Sequence, residues 1–460
     1  MTLVETFPKS WYNEDLKRIY IDSICENPYI PIAPYSKQML AILYASRCNS
    51  LNQILVGAGG YGGKTYLGSM LAVQYLPFAE DYTCLVTRRN YAELLDTNSV
   101  WDNLIQWCCD VELGKDYCCE YKLSPSPKIV APNGNTIYFK AFDHEKKKQK
   151  FKSASYDRAV NDEASELPVE VLQFQYRSMR NTSDIPLSIT NLSNPSEDNE
   201  ECNNYLVQKF VDGANPYIQM DWRDNPFIDK DAYEKSLDEL DFVSLQYQKY
   251  GNWKYKPTVG DLISREDMAS QIVDLDLDQL MSQFSIISID LAGKGKDKFA
   301  VCRYDLLPNG LEIINDFAQT QSAMAEDMLI NFVAKHNPNT FAPTTSAVVI
   351  EQEGGGSPLY AQRYFQELLQ EFNIPVILKT PKGSKYQRAR PLMRRIKTGN
   401  VKIRQGCGFL DEFIDESIGL DPLGKGKSPN LVDSVSLAHN YLHDNILQNG
   451  TNIRLGARIG

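Results

Sequence analysis

The chain has 460 residues, with a hydrophobic content of 43% and a charged content of 23%. This composition excludes a disordered chain, and because the length exceeds what one hydrophobic core usually supports, we expect two domains. The net charge of -11 excludes a protein that coats nucleic acid by bulk electrostatics.

Hydropathy and cysteine spacing exclude further classes. Neither a basic start followed by an apolar run nor a stretch of 18 apolar residues occurs, so we expect no signal peptide and no membrane span, and a cytoplasmic location. The doublets Cys108-Cys109 and Cys118-Cys119 lack CxxC spacing, which favours buried free thiols over a zinc site.

The first candidate nucleotide contact is Gln38, which lies in PYSKQML before a predicted helix, where its amide could read an adenine base. The next motif is VGAGGYGGKT. The segment 52–56 closes with a short apolar run that predicts a buried strand before the motif, and the apolar spacing of 66–76 predicts a helix after it. The glycines therefore occupy a strand-to-helix turn.

This turn fits the phosphate-binding pattern G-x-x-x-x-G-K-[ST], except that Ala58 occupies the first glycine position. In such a loop the backbone N–H groups and Lys64 bind phosphate oxygens, and the hydroxyl of Thr65 binds magnesium. The alternative is a flexible glycine-rich turn that precedes a lysine. The predicted nucleotide site comprises Ala58, Gly59, Gly60, Tyr61, Gly62, Gly63, Lys64 and Thr65.

Hydrolysis requires further groups at neighbouring strand ends. A predicted strand at 83–87 is followed by Arg88 and Arg89, either of which could stabilise developing phosphate charge. A predicted strand at 156–161 is followed by Asp162, a candidate for the magnesium shell, and Glu163, a candidate general base. An exposed acidic turn is the alternative for this pair. A further predicted strand, at 187–190, ends in polar Asn191.

The second half of the chain places an acid at the end of three elements. These are Asp290 after a predicted strand at 284–289, Glu351 after a predicted strand at 346–350, and Asp433 in a predicted helix at 431–442. A hairpin predicted at 299–316 follows the first strand. Such acids are common at strand ends and helix starts, but their order is that of an RNase H-like nuclease with two metal ions. Asp297 and Glu353 could assist.

The segment 379–404 holds ten Lys or Arg and no Asp or Glu. Because a solvated face normally mixes both signs of charge, this segment predicts a contact with the phosphate backbone of DNA.

Together these motifs resemble the large terminase subunit of tailed double-stranded DNA bacteriophages. The resemblance extends over residues 30–445, and the shared segments occur in the same order along the chain. They are PYSKQ, the P-loop, LVTRRNYAEL, NDEA, SITNLSNP, DWRDNPF, YGNW, SIDLAGKGKD, VVIEQEGGG and LVDSVSLA. Departures are Ala58, the polar Asn161 before Asp162, and Glu353.

The resemblance implies an α/β chain with an N-terminal P-loop ATPase domain of the RecA/ASCE type, followed by an RNase H-like nuclease domain. We expect the ATPase domain at 1–255, a linker at 256–283, the nuclease domain at 284–445 and a tail at 446–460. Such a protein pumps viral DNA into a procapsid with ATP and cuts concatemeric DNA. A helicase or repair ATPase fused to a nuclease is the alternative, and a structural virion component with a regulatory nucleotide site is another.

The resemblance also implies roles for single residues. Lys64 and Thr65 would bind phosphate and magnesium, Glu163 would be the catalytic base, Arg88 the arginine finger, and Asn191 a γ-phosphate sensor. The nuclease metals, two Mg²⁺ or Mn²⁺, would be held by Asp290, Glu351 and Asp433.

The resemblance implies partners as well. They are double-stranded viral DNA, the portal protein of the procapsid, the small terminase subunit, and further copies in a ring on the portal. No membrane partner is expected. The location would be the host cell cytoplasm, with transient attachment to the procapsid and absence from the mature virion.

Overall fold

A computed structural model describes most of the chain. The described residues are 23–47, 51–143, 151, 154–180, 183, 185–196, 199–238, 240–275, 282–291, 298–339, 344–351 and 363–447. Asp297 and Glu353 lie outside them. The chain forms two compact units, residues 1–240 with 244–256 and residues 241–243 with 257–460. No helix in the described ranges is long and apolar enough to cross a membrane.

The first unit is built on an eight-stranded sheet. Its strands are β1 Asn52–Val56, β2 Thr83–Arg88, β3 Glu120–Lys122, β4 Lys128–Val130, β5 Thr136–Ala141, β6 Arg158–Asp162, β7 Ser188–Leu192 and β8 Tyr217–Ile218. Their order across the sheet is β3-β4-β5-β2-β6-β7-β1-β8. All neighbours pair in parallel except β3 with β4 and β4 with β5. The carboxyl ends of the parallel strands therefore meet at one edge.

The second unit is built on a seven-stranded sheet. Its strands are β9 Ile272–Val273, β10 Phe284–Asp290, β11 Phe299–Leu306, β12 Glu312–Thr320, β13 Ala347–Glu351, β14 Val376–Lys379 and β15 Val401–Arg404. The order is β14-β13-β10-β11-β12-β15-β9, with β11 antiparallel to both β10 and β12 and the other neighbours parallel. The run β12-β11-β10-β13-β14 is the RNase H-like arrangement, so the predicted fold class is confirmed.

Helices cover these sheets. They are α1 Ser36–Ala45, α2 Lys64–Val73, α3 Tyr91–Leu94, α4 Val100–Cys108, α5 Val169–Gln175, α6 Glu200–Leu206, α7 Lys230–Asp238, α8 Phe242–Gln248, α9 Arg265–Ala269, α10 Ala325–His336, α11 Lys385–Lys397, α12 Leu410–Ile418 and α13 Asn430–Leu442.

The first sheet is buried on both faces. Along β1, Ile54 and Val56 belong to one apolar cluster together with Leu67 of α2, whereas Leu55 belongs to a second cluster together with Val171 of α5. Because successive side chains of a strand point to opposite faces, a strand buried on both sides favours consecutive apolar residues, as β1 has at 54–56.

Candidate active sites

The loop between β1 and α2 requires glycine at two positions at least. Gly57 has φ +139°, and a Cβ added there would lie 1.9 Å from the carbonyl oxygen of Ser193. Gly63 has φ +77°, and an added Cβ would lie 2.8 Å from the hydroxyl of Tyr35. The loop is therefore held tightly between β7 and α1, and its conformation excludes any residue with a side chain at these points.

Ala58, the departure from the phosphate-binding pattern, is accommodated by a second glycine. Gly251, in the YGNW segment, has φ +58°, and a Cβ added there would lie 2.4 Å from the Cβ of Ala58. The Ala58 side chain is fully buried in this contact. The loop thus has alanine at the first glycine position of the pattern, and the glycine at position 251 leaves room for that side chain.

Replacing Gly251 with alanine is expected to destabilise the first unit by at least about 1–2 kcal/mol, the strain of a left-handed conformation at a residue with a Cβ. The clash with Ala58 adds to this loss and displaces the loop. Urea unfolding measures the effect. Gly114→Ala is the matched control, because Gly114 has φ +76° and no described atom lies within 4 Å of an added Cβ. Adding Ala58→Gly to Gly251→Ala should restore the stability that the clash removes, but not the stability that the backbone strain removes. Equal losses of stability in Gly251→Ala and Gly114→Ala would contradict the contact.

Lys64 lies at the bottom of the loop. Its ammonium group donates to the carbonyl of Gly59 at 2.9 Å and to Oδ1 of Asn194 at 2.7 Å. Burial lowers the pKa of Lys64, against the opposing effect of the Glu163 and Asp162 charges. A buried cation that is held by neutral oxygens can gain further stabilisation from an anion, so this position suits a phosphate group.

The acidic pair lies beside this lysine at the end of β6. Burial raises the pKa of Asp162 to about 7, and the adjacent Glu163 contributes to the rise. Arg88 donates to Oδ2 of Asp162 at 3.1 Å and to Glu93 at 3.1 Å. Glu163 is half-buried in a left-handed conformation with φ +50°, a strained state for a residue with a side chain. Arg88, rather than Arg89, is the arginine that contacts the acidic pair.

Asn191 lies in a buried network of amide side chains rather than against Lys64. Its amide accepts a hydrogen bond from Asn161 at 2.8 Å and donates to the carbonyl of Ile54 at 3.2 Å. Asn161 in turn exchanges hydrogen bonds with Gln175 of α5, so this network lies on the face of the sheet opposite α2. The residue that contacts Lys64 is Asn194, three positions later, which sequence reasoning missed although it lies within SITNLSNP.

Gln38 contacts the loop between β1 and α2. Its side-chain nitrogen donates to the carbonyl of Gly63 at 2.9 Å, and its oxygen accepts from the backbone of Tyr35 at 3.2 Å. The side chain is buried. In this position Gln38 ties α1 to the end of the loop, and its contact with adenine stays a prediction.

The DWRDNPF segment contributes contacts that its sequence did not predict. The side chain of Asn225 donates to the carbonyl of Tyr61 at 2.8 Å. A Cβ added at Gly62 would lie 3.2 Å from the backbone of Asp221. The segment therefore packs directly on the phosphate-binding loop.

The three acids of the second unit converge. Asp290 and Glu351 end the neighbouring parallel strands β10 and β13, and Asp433 lies in the first turn of α13. Reciprocal hydrogen bonds hold that helix on the strand: Ser288 donates to the carbonyl of Ser434 at 2.8 Å, and Ser434 donates to the carbonyl of Ser288 at 3.1 Å. One carboxylate oxygen from each of the three acids lies within 4.8 Å of the others, and all three side chains are buried.

Two cations lie against these carboxylates. Arg388 donates to Glu351 at 3.3 Å and to Asp433 at 2.6 Å, and Lys385 lies 2.8 Å from Asp433. Even so, burial, with the charge of Asp433, raises the pKa of Asp290 well above its ordinary value. Three buried acids exceed the charge of their two cations, and hard oxygen ligands suit Mg²⁺ or Mn²⁺. The chemistry of the donor set therefore fits divalent ions.

The basic segment 379–404 is involved in many ion pairs. Most of its cations pair with acids of the second unit. The pairs are Lys379 with Asp444, Lys385 with Asp433, Arg388 with Glu351 and Asp433, Arg390 with Asp241, Arg395 with Glu312, Lys397 with Asp267, and Arg404 with Asp316. A DNA contact stays a prediction, and Lys385 and Arg388 are its candidates because they border the acids.

A carboxylate caps the helix that carries Asp433. Oε2 of Glu416 in α12 accepts from the backbone N–H groups of Leu431 and Val432 at 2.8 and 3.2 Å. These groups have no partner within their own helix, so the contact fixes the start of α13.

Glu416→Gln is expected to flatten the pH dependence of stability. Burial raises the pKa of Glu416 to about 7, above the value of about 4.3 for an unfolded glutamate. The folded state therefore holds the proton more tightly, and the stabilisation is complete below about pH 4 and is lost as the pH rises through about 7. Melting temperatures of both proteins at about pH 5 and about pH 8 measure this change. Glu412→Gln, at an exposed position of the same helix, is the control, and a pH-independent difference would contradict the expectation.

The cysteine doublets are free thiols, of which Cys108 and Cys119 are buried and Cys109 and Cys118 are half-buried. In the described ranges, the groups of His, Cys, Asp and Glu whose ligand atoms converge are the acid triad and one further cluster, neither of which contains cysteine.

Comparisons with known proteins give the following matches. Residues 50–253 match the family model of the phage terminase large subunit. The large terminase of a thermophilic bacteriophage is 13% identical, with a TM-score of 0.62, over 90% of this chain and 99% of that chain. Structures of the same large terminase in complex with ADP and with ATP-γ-S match with TM-scores of 0.60 and 0.58, at 12% and 13% identity, over 90% and 88% of this chain and 100% and 99% of those chains. No curated protein matches the chain.

Proposed function

We propose that this chain, which belongs with the phage terminase large subunits, uses ATP hydrolysis to drive viral double-stranded DNA into a procapsid. We propose further that its second unit cuts concatemeric DNA. The observation that supports this most is that the chain contains two separate charged sites of different chemistry. One surrounds a phosphate-binding loop, and the other gathers three buried carboxylates.

ATP is the proposed substrate of the first site. The loop 57–65 would hold its phosphates through backbone N–H groups, and Lys64 would exchange its contacts with Gly59 and Asn194 for phosphate oxygens. Asn194 would thereby sense the γ-phosphate, the role expected of Asn191. The complexes of the thermophilic bacteriophage terminase with ADP and ATP-γ-S support the choice of nucleotide.

Glu163 is the proposed general base of this site. It follows the Asp162 that borders Lys64, its charge raises the pKa of Lys64, and its backbone is strained at φ +50°. Arg88 would move from Asp162 toward the charge that develops on the transferred phosphate. Thr65 and Asp162 would hold Mg²⁺, which when bound neutralises phosphate charge.

The second site is proposed to cleave phosphodiester bonds. Asp290, Glu351 and Asp433 would hold two Mg²⁺ or Mn²⁺, which when bound supply an activated water and stabilise the leaving oxygen. Arg388 and Lys385 would pass from the carboxylates to the DNA phosphates as the cations arrive, because both contacts require the same guanidinium and ammonium protons.

The proposed partners are viral double-stranded DNA, the portal protein, the small terminase subunit and further copies of this chain in a ring on the portal. The proposed location is the host cytoplasm, with transient docking on the procapsid. The family match and the fold shared with the thermophilic bacteriophage terminase support these proposals.

Uptake of DNA into procapsids tests the whole proposal. Linear DNA, ATP and procapsids with their cognate portal are mixed with the protein, and the DNA that becomes resistant to nuclease digestion is measured. We expect ATP-dependent protection that is lost when ATP is omitted. Strand separation without protection would favour a helicase or repair enzyme instead.

A further inference from the structure

A second group of metal-binding side chains lies in the same unit as the carboxylate triad. Glu312, at the start of β12, and His439 and His443, at the end of α13, each offer a ligand atom within 4.8 Å of the other two. Nε2 of His443 lies 3.0 Å from Oε1 of Glu312, and Nε2 of His439 lies 4.0 Å from Oε2. None of these residues belongs to the sites described above.

The spacing of the two histidines suits shared coordination. Residues four apart on a helix lie on the same face, one turn apart. The two imidazole rings accordingly lie 4.3 Å apart at an angle of 33°, and both direct Nε2 toward the same carboxylate. Two imidazoles and one carboxylate form a ligand set typical of Zn²⁺.

One ligand atom at this cluster lacks a partner. His439 is almost fully buried, and its Nε2 has no hydrogen-bond partner among the described residues. Nδ1 of His439 lies 3.1 Å from the amide oxygen of Asn440, an acceptor, so Nδ1 carries the proton and Nε2 keeps a lone pair. A buried, unbonded imidazole nitrogen is costly unless something coordinates it.

The carboxylate is held in place for such a role. Tyr304 donates to Oε2 of Glu312 at 2.5 Å, and Nη2 of Arg395 lies 2.5 Å from Oε1. Partners that orient a ligating carboxylate are a regular part of metal sites.

We propose that Glu312, His439 and His443 bind a Zn²⁺-class transition metal ion at a site separate from the carboxylate triad. Three protein ligands leave a fourth position, and the 25% exposure of the His443 side chain gives that position access to solvent. Bonds of about 2.0–2.1 Å require the ligand atoms to approach to about 3.3 Å, which small rotations of the side chains provide. The ion would fasten the end of α13 to β12, and its binding does not depend on the proposed function.

Cobalt substitution tests this site in the full chain, after removal of any polyhistidine tag. The protein is titrated with Co²⁺ alone, and the visible absorption of a tetrahedral ion is recorded. We expect one such ion per chain, displaced by Zn²⁺. His443→Ala should weaken Co²⁺ binding more than about 10-fold, because even the loss of an orienting partner weakens binding by about that factor. Tyr304→Phe, which keeps all ligands, should weaken it by about 10-fold.

Asp433→Asn is the control that distinguishes the two sites. It disables the carboxylate triad and should leave the tetrahedral absorption unchanged. Absorption that is lost in Asp433→Asn, or unchanged in His443→Ala, would overturn the proposal and leave an ion-pair network of Glu312, Arg395 and His443. Far-ultraviolet circular dichroism checks that each variant folds, and His443→Gln replaces His443→Ala if the latter does not.

Discussion

Replacing Asp433 with alanine is expected to reduce Mn²⁺-dependent nicking of plasmid DNA by at least about 100-fold, while ATP hydrolysis stays unchanged. A two-metal site supplies several kcal/mol of transition-state stabilisation, and each 1.4 kcal/mol corresponds to about tenfold in rate. Asp433 lies closest to the cations of the cluster, at 2.6 Å from Arg388 and 2.8 Å from Lys385, so its loss also changes how both are held. Conversion of supercoiled plasmid to open circles measures the effect.

Two further variants interpret this result. Asp433→Asn keeps the shape of the side chain and removes the charge. Loss of nicking in both variants would therefore mean that the charge is required, and that the cavity left by alanine is not the cause. Asp444→Ala removes an exposed carboxylate beyond the end of the same helix and should nick normally. Full nicking by Asp433→Ala would mean that the metal ions are bound elsewhere.

Replacing Glu163 with glutamine is expected to lower ATP turnover by about 10²–10⁴-fold, the usual contribution of a positioned general base. Nucleotide binding should persist, because Lys64 and the glycines of the loop hold phosphate without Glu163. Phosphate release measures turnover, and a fluorescent ATP analogue measures binding.

Glu170→Gln is the matched control for this variant, since Glu170 is a half-buried carboxylate of α5 seven residues further along the chain. It should leave turnover within about twofold of the parent, as expected of a substitution away from the reacting groups. Unchanged turnover in Glu163→Gln would contradict the catalytic role and favour a structural protein whose nucleotide site regulates assembly.

The sequence was most informative where local chemistry and local structure coincide. The strand at 52–56 was predicted with the bounds that β1 has, because it closes with an apolar run directly before the glycine-rich turn. The acids that end β10 and β13 were likewise found from their position after apolar runs, whereas Asp162 follows a strand that contains polar residues. These features depend on residues close together in the chain, so they can be read directly from the order of the residues.

Contacts between distant segments were not predictable in this way. Asn194 rather than Asn191 contacts Lys64, because the side chain of Asn191 points to the face of the sheet opposite α2, whereas Asn194 lies beyond the end of β7. The basic segment looked like a DNA-binding surface, but its charges are largely paired with acids far away in the chain.

The sequence by itself determined the two kinds of chemistry: a glycine-rich loop with Lys64 in the first half, and acids in the order of an RNase H-like fold in the second. Only the tertiary structure decided which groups meet, as with Gly251 against Ala58, Glu416 at the start of α13, and Glu312 beside His439 and His443. The reason is physical, since a motif requires only a local backbone conformation, whereas these contacts depend on how sheet register and helix packing bring distant residues together.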